Sequence, residues 1–273
     1  YLENSAEYFP EKCAVTDEKV SYSYSELVKL SSSVGTALSE LIASGDAVGI
    51  YMEKCADAVA AFFATVYAGG FYSVLNTELP QNRLQTTVSV LNPKVIVTSE
   101  SLLETAKEYF SERKIVTFED LAKSEPDYAK LGEIRSHKID TDPLYINFTS
   151  GSTGTPKGIV VCHRSVIDFI DHFTEIFGID NNDVIANQAP FDFDVSVKDI
   201  YSAVKTGATL VVVPRRMFSA PAELIDFICD RRITVMIWAV SALCLISTFH
   251  ALDYRTPETV NKILFSGEVM PLK

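Results

Sequence analysis

The sequence predicts an α/β protein whose mostly parallel sheets carry helices on their faces. Short apolar, β-branched runs alternate with helical patterns along nearly all 273 residues. Strand and helix in strict alternation imply parallel strands joined by crossover helices. Glycine and proline stand between the patterns, where turns need them. No short-period repeat or low-complexity tract interrupts the sequence.

Along the chain, Ser23 and Glu26 form a capping-box pattern, and Leu27, Leu30, Val34, Leu38 and Leu41 mark one face of the helix behind it. Gly45-Asp46 turns the chain into an apolar strand over 47–52. A helix over about 57–68 ends at Gly69-Gly70, a strand follows over 71–75, and Pro80 opens the next helix. Asn92-Pro93 separates that helix from a strand over 94–98. Residues 121–143 are polar, contain two prolines and show little periodicity. They read as a surface connection between two sub-lobes, about 1–120 and 144–273. The second sub-lobe repeats the alternation, with strands over 144–149, 184–188, 208–213, 233–238 and 262–265 and helices over 165–177 and 222–231.

Composition narrows the function classes. Hydrophobic residues at 47% and charged residues at 22% are ordinary soluble-globular values. A net charge of -12 argues against sequence-independent nucleic-acid binding, which needs a basic face. The five cysteines (Cys13, Cys55, Cys162, Cys229, Cys244) are scattered and form no CxxC pair, so neither a zinc site nor a disulfide framework is expected. Buried free thiols in a reducing compartment account for them. The N-terminal residues have no basic region followed by an apolar core. The most apolar stretch, 58–75, contains Tyr67, Gly69, Gly70, Tyr72 and Ser73, and reads as helix, turn and strand rather than a membrane span. A cytoplasmic, soluble protein with no membrane or nucleic-acid partner is expected.

The informative string is Thr149-Ser150-Gly151-Ser152-Thr153-Gly154-Thr155-Pro156-Lys157-Gly158. Glycines let successive backbone N–H groups converge on an anion, hydroxyls add donors, and Lys157 adds a mobile positive charge suited to a polyphosphate. A flexible surface hairpin would explain the composition. It would not explain the apolar strand in front, the lysine and the density of donors together. A Walker-type P-loop needs Gly-Lys-Ser/Thr opening a helix. Here Gly158 follows the lysine, and Ile159-Val160-Val161 is strand-like, so the Walker reading fails.

The same string closely resembles the phosphate-binding signature of the adenylate-forming superfamily: acyl-CoA synthetases, luciferases and nonribosomal peptide synthetase adenylation domains. Tyr22-Ser23-Tyr24-Ser25-Glu26-Leu27 is similar to the family's early helix opening. Tyr67-Ala68-Gly69-Gly70-Phe71-Tyr72 is similar to its second motif, with Asn76 where an aspartate is usual. The resemblance covers nearly the whole chain and implies stacked, mostly parallel sheets flanked by helices, as in the family's N-terminal domain. It further implies that ATP meets Thr149, Ser150, Gly151, Ser152, Thr153, Gly154, Thr155, Lys157 and Gly158, with Thr149, Ser150 and Lys157 acting in catalysis. Gly267 and Glu268 are expected near the adenine. The resemblance also implies Mg²⁺, with its main ligand outside these residues and no metal site within them.

The run from Phe191 to Tyr201 bears on the substrate. In amino-acid-activating members, the aspartate of a Phe-Asp-x-Ser motif binds the substrate ammonium, and Asp194 matches it. An ionised carboxylate in a partly desolvated pocket favours a charged amine and penalises a substrate lacking one. On helix chemistry alone, Asp194 would be a cap for the helix running to about residue 205. Gln188-Ala189-Pro190-Phe191 and Leu264-Phe265-Ser266-Gly267-Glu268-Val269-Met270-Pro271 resemble D-alanine–carrier protein ligases, which share much of the synthetase pattern. By that resemblance Val195, Lys198, Ile237 or Trp238, Leu264 and Ser266 line the side-chain pocket. Trp238 would favour a small substrate, whereas Lys198 would suit an acidic side chain or simply be an exposed helix lysine. His163 has no identifiable partner acid or nucleophile and is assigned a structural role.

The implied reaction is ATP-dependent formation of an aminoacyl-adenylate, followed by capture on the pantetheine thiol of a carrier protein. A non-catalytic nucleotide-binding module and an acyl-CoA ligase for non-amino acids are the alternatives, and Asp194 speaks against the second. The sequence stops before the place where family members carry a Tyr-Gly-Pro-Thr-Glu motif. It is therefore read as a partial N-terminal adenylation domain that folds but catalyses nothing alone and leaves an apolar face exposed.

Overall fold

The computed structural model of the chain describes residues 1–149 and 156–271. The strands are β1 (Cys13–Thr16), β2 (Ser21–Ser23), β3 (Ala47–Tyr51), β4 (Phe71–Val74), β5 (Val95–Thr98), β6 (Ile115–Thr117), β7 (Pro143–Thr149), β8 (Lys157–Cys162), β9 (Val184–Asn187), β10 (Thr209–Val212), β11 (Val235–Ile237) and β12 (Lys262–Leu264). They form two sheets of six, and the helices between them make this an α/β fold, as expected. The chain divides into two compact units, Glu26–Phe169 and Tyr1–Ser25 with Ile170–Lys273.

In the Glu26–Phe169 unit the strand order is β6-β5-β3-β4-β7-β8. All neighbours are parallel except the closing pair β7–β8. Every residue of β3 and β5 is buried, which is why both read as continuous apolar runs rather than alternating ones. The helix Ala56–Tyr67 is buried over most of its circumference, and its Phe62 ring stacks on Tyr72 of β4 with centroids 4.5 Å apart. Gly69 and Gly70 turn the chain from that helix into β4. Gly69 has φ +84°, and a Cβ on Gly70 would sit 2.9 Å from the Asp46 carbonyl oxygen, so neither position tolerates a side chain cheaply. The apolar stretch over 58–75 is thus helix, turn and strand. Among the described residues no helix is long and apolar enough to cross a membrane.

In the other unit the order is β12-β11-β9-β10-β1-β2, parallel except for β1–β2. Its core gathers Val211 of β10, the residues Val213, Ile233 and Trp238 that flank β10 and β11, and Leu224, Ile225 and Ile228 of the helix Pro221–Asp230. Tyr24, fully buried, places its hydroxyl 2.8 Å and 2.6 Å from the carbonyl oxygens of Ala203 and Ala208. Consecutive strands β10 and β11 lie on opposite sides of β9. The chain therefore changes direction of growth at β9, which opens a crevice at the carboxyl ends of β9 and β11.

The division of the chain differs from the sub-lobes expected at about 1–120 and 144–273. The first 25 residues belong with the later sheet, through the β1–β10 pairing, and β7 and β8 belong with the earlier one, through β4–β7. Hydrophobic periodicity identifies strands but not their partners. Residues 121–143 are not a bare connection either, since they hold the helix Tyr128–Ser136. Its capping Asp127 accepts from the Lys130 amide at 2.9 Å, and Leu131 is its one buried residue, so little apolar periodicity marks it. The five cysteines are free, as expected, but half-buried rather than buried.

Candidate functional site

The described ends of the glycine-rich string fall on the antiparallel pair β7–β8. Thr149 ends β7, Lys157 begins β8, and the two are register partners across the antiparallel pair. Ser150, Gly151, Ser152, Thr153, Gly154 and Thr155 lie outside the described residues. Lys157 opens a strand, and the next helix begins only at His163, so no Walker-type helix follows the lysine. Thr149, Lys157 and Gly158 are exposed. Gly158 packs close to the neighbouring strand, where a Cβ would stand 2.7 Å from Ile146 Cδ1. That contact gives this glycine a packing reason alongside the one expected from the motif.

His163 heads the helix His163–Phe177, and its amide donates to the Asp142 carbonyl at 3.2 Å. Burial, with the Lys138 ammonium second, pushes its imidazole below the ordinary value, while Asp142 and Asp140 pull the other way. Next to it, Arg164 grips Asp140 with two bonds of 2.8 Å and 2.6 Å. The histidine belongs to this fastening of the helix start.

A second cluster forms at the carboxyl ends of three parallel strands in the other unit. A cavity of about 180 Å³ opens there. Gln188, Ala189 and Pro190 follow β9, Trp238 follows β11, and Phe265 and Ser266 follow β12 along its walls, joined by Phe193 and Val195. Trp238 is 1% exposed; its indole Nε1 donates to the Ala186 carbonyl at 2.8 Å, and the Phe218 ring packs edge-on at 5.3 Å. The indole is thereby a fixed wall rather than a movable lid.

Of the residues expected around the substrate, Val195, Ile237, Trp238 and Ser266 line this cavity. Lys198 reaches its edge, with Nζ 3.4 Å from the Ser266 hydroxyl. Leu264 is not on the wall; its carbonyl accepts from the Trp238 amide at 2.9 Å and so holds the wall in place. Asp194 is exposed at the start of the helix Val195–Thr206, between the two lining residues Phe193 and Val195. Its backbone is already helical (φ -59°, ψ -25°), and among the described residues its side chain accepts no capping bond. Helix capping therefore does not account for the carboxylate. Gly267, with φ +92°, and the exposed Glu268 follow Ser266 directly.

Gln188, Ala189, Pro190, Phe193, Ala239 and Phe265 line the cavity without having been expected there. The signal available for all of them but Phe193 was position: each immediately follows a strand or a lining residue at the carboxyl edge of a parallel sheet. Among the described residues no group of three or more His, Cys, Asp or Glu side chains stands ready to hold a metal ion.

The family model described as AMP-binding enzyme matches residues 2–273. The chain belongs to the AMP-binding enzyme family. It is 29% identical over 273 residues to the L-proline–[L-prolyl-carrier protein] ligase of Pseudomonas fluorescens, covering 97% of this chain and 54% of that one. It is 28% identical over 215 residues to the D-alanine–D-alanyl carrier protein ligase of Staphylococcus aureus, covering 78% of this chain and 42% of that protein. Among solved structures, the nonribosomal peptide synthetase FmoA3 in its alpha-methyl-L-serine-AMP bound form superposes with a TM-score of 0.87 at 24% identity, over 99% of this chain and 30% of that one. This AMP-binding chain thus spans about half or less of the length of these relatives.

Proposed function

We propose that this chain supplies the amino-acid pocket and part of the ATP site of an AMP-forming ligase that activates an amino acid for a carrier protein. The observation that carries the reading is Asp194, an uncapped carboxylate flanked by two residues of a cavity at the carboxyl edge of the sheet. A carboxylate so placed would hold a substrate ammonium. Lys198, one helical turn further on, has the Ser266 hydroxyl as its hydrogen-bond partner and no ion pair among the described residues. That pairing of charges favours an amino acid with an acidic side chain, its ammonium on Asp194 and its side-chain carboxylate on Lys198 and Ser266.

In the proposed step the α-carboxylate oxygen of the amino acid attacks the α-phosphorus of ATP. A bond from that oxygen to phosphorus forms, the α–β phosphoanhydride bond breaks, and pyrophosphate leaves with the electron pair. The substrate is already ionised, so no general base is needed, and His163 has no part in it. The chain's own contribution would be placement by Asp194 and the cavity walls, and charge stabilisation by Lys157 and the hydroxyls and N–H groups of the 149–158 string. The Mg²⁺ expected with ATP finds no ligand set among the described residues, and no step is assigned to it. A pantetheine thiol of a carrier protein would then take the acyl group, displacing AMP.

Amino-acid-dependent exchange of labelled pyrophosphate into ATP tests this, run over D- and L-amino acids on a protein carrying this chain at the length of its relatives. Exchange with a narrow set of amino acids, acidic ones foremost, supports the reading. Exchange with carboxylic acids that lack an amine, or with none of the panel, overturns it.

A further inference from the structure

Three consecutive residues at the end of β9 tie the cavity together. Ala186 accepts from the Trp238 indole at 2.8 Å, and the Gln188 side-chain oxygen accepts from the Ala239 amide at 3.3 Å. Between them, Asn187 Nδ2 donates to Asp199 Oδ2 at 2.6 Å. Both partners of this last bond are 0% exposed. Asp199 lies on the helix Val195–Thr206, whose buried residues include Val197, Ile200, Ala203 and Val204 together with Ser196 and Ser202, and it is the only charged residue among them.

A fully buried carboxylate is a poor way to gain stability, since well-packed apolar residues of similar volume often serve as well or better. What it does supply is a fixed register between two elements. Here the bond closes the segment 187–199, which contains the cavity residues Gln188, Ala189, Pro190, Phe193 and Val195 as well as Asp194. The strand side of the bond is itself held, because the Asn187 carbonyl accepts from the Val213 amide at 3.1 Å. Asp199 is five residues from Asp194 on the same helix. With side chains reaching about 5–6 Å from a helix axis, a helix rotation of about 20° moves such a carboxylate by about 2 Å. A misplacement of about 1 Å at a reacting centre can lower a rate about 100-fold.

We infer that Asn187 and Asp199 form a buried clasp that positions Asp194 and the cavity wall for the substrate, making Asp199 a positioning residue for amino-acid recognition. The inference rests on the amino-acid reading of the cavity for its functional half, and on geometry alone for the rest. The bond has a natural control. Asn187→Asp sets two carboxylates against each other, whereas the swap Asn187→Asp with Asp199→Asn restores a donor and an acceptor in exchanged places.

Trp238 is the chain's only tryptophan and its indole is bonded to the residue before Asn187, so its fluorescence reads the clasp directly. In acrylamide quenching, which needs no ligand, Asn187→Asp is expected to raise the quenching constant about twofold or more, and the swap to return it to within about 30% of the parent. In amino-acid titrations followed by the same fluorescence, the single variant should bind about tenfold more weakly and the swap within about threefold of the parent. In the exchange assay the single variant should raise KM for the amino acid and leave KM for ATP unchanged, a split that a general loss of folding would not give. Should the single variant not fold, Asp199→Leu with Asn187→Leu keeps the packing and is expected to melt no lower while binding about tenfold more weakly. A swap no better than the single variant in quenching overturns the clasp. If the parent binds no amino acid while quenching follows the expected order, the clasp stands and the substrate reading fails.

Discussion

Replacing Asp194 separates two roles that one aspartate at a helix start can play. If it binds the substrate ammonium, Asp194→Asn removes a hydrogen bond to a charged group, a loss of about 1.5–3 kcal/mol. At about 1.4 kcal/mol per decade, that is about a 10- to 150-fold rise in KM for the amino acid. If it is a cap, Asp194→Asn is nearly neutral, because asparagine caps as well as aspartate, whereas Asp194→Ala loses about 1 kcal/mol of helix stability. In a chain of this size that loss lowers Tm by about 2–4 °C. The side chain accepts no capping bond among the described residues and its backbone is already helical. We therefore expect Asp194→Asn and Asp194→Ala to melt within about 2 °C of the parent, and both to lose amino-acid-dependent pyrophosphate exchange while still binding ATP. The pair of measurements is exchange kinetics against amino-acid concentration and a circular-dichroism melt of each variant. A normal amino-acid KM in Asp194→Asn, together with a melt lowered only in Asp194→Ala, would establish the cap and refute the ammonium site.

Lys157→Ala should raise KM for ATP by about tenfold or more in pyrophosphate exchange, with an unchanged melt, because an exposed lysine at the start of β8 contributes little to stability. Lys198→Met should cut exchange with acidic amino acids by at least about tenfold and leave small neutral ones unaffected or improved; an unaltered substrate profile would make Lys198 an ordinary helix lysine. Stability should fall as pH drops below about 6.5, the unfolded histidine value. The His163 imidazole is held below that value by burial, so in the window between the two the unfolded chain binds the extra proton and gains from acidity. His163→Gln should flatten that part of the melting profile, as followed by melts between pH 5 and 8.

Much of the fold was legible because its central strands are buried on both faces, β3 and β5 most completely. Val95-Ile96-Val97-Thr98 and Ala47-Val48-Gly49-Ile50-Tyr51 read as strands from composition alone, since every residue in them is buried. Strand membership was not legible. Nothing in the residues of β7 says that it lies beside β4, or in β1 that it lies beside β10, because parallel pairing is set by crossovers rather than by pattern. The helix Tyr128–Ser136 escaped notice for a related reason: one buried leucine and a capping aspartate carry it.

The candidate site divides in the same way. Val195, Ile237, Trp238 and Ser266 were reached through motif resemblance, and the structure gathers them at one cavity. Asp199 is not legible in the same way, because a lone aspartate in a helical run carries no mark of what it faces. Only the fold shows that its partner is the last residue of β9, and that the intervening segment carries half of the cavity wall. Motif reading finds groups that would touch a substrate, since their chemistry must suit it. The groups that aim them answer to the fold instead, and in this chain they sit where β9 ends and the helix Val195–Thr206 begins.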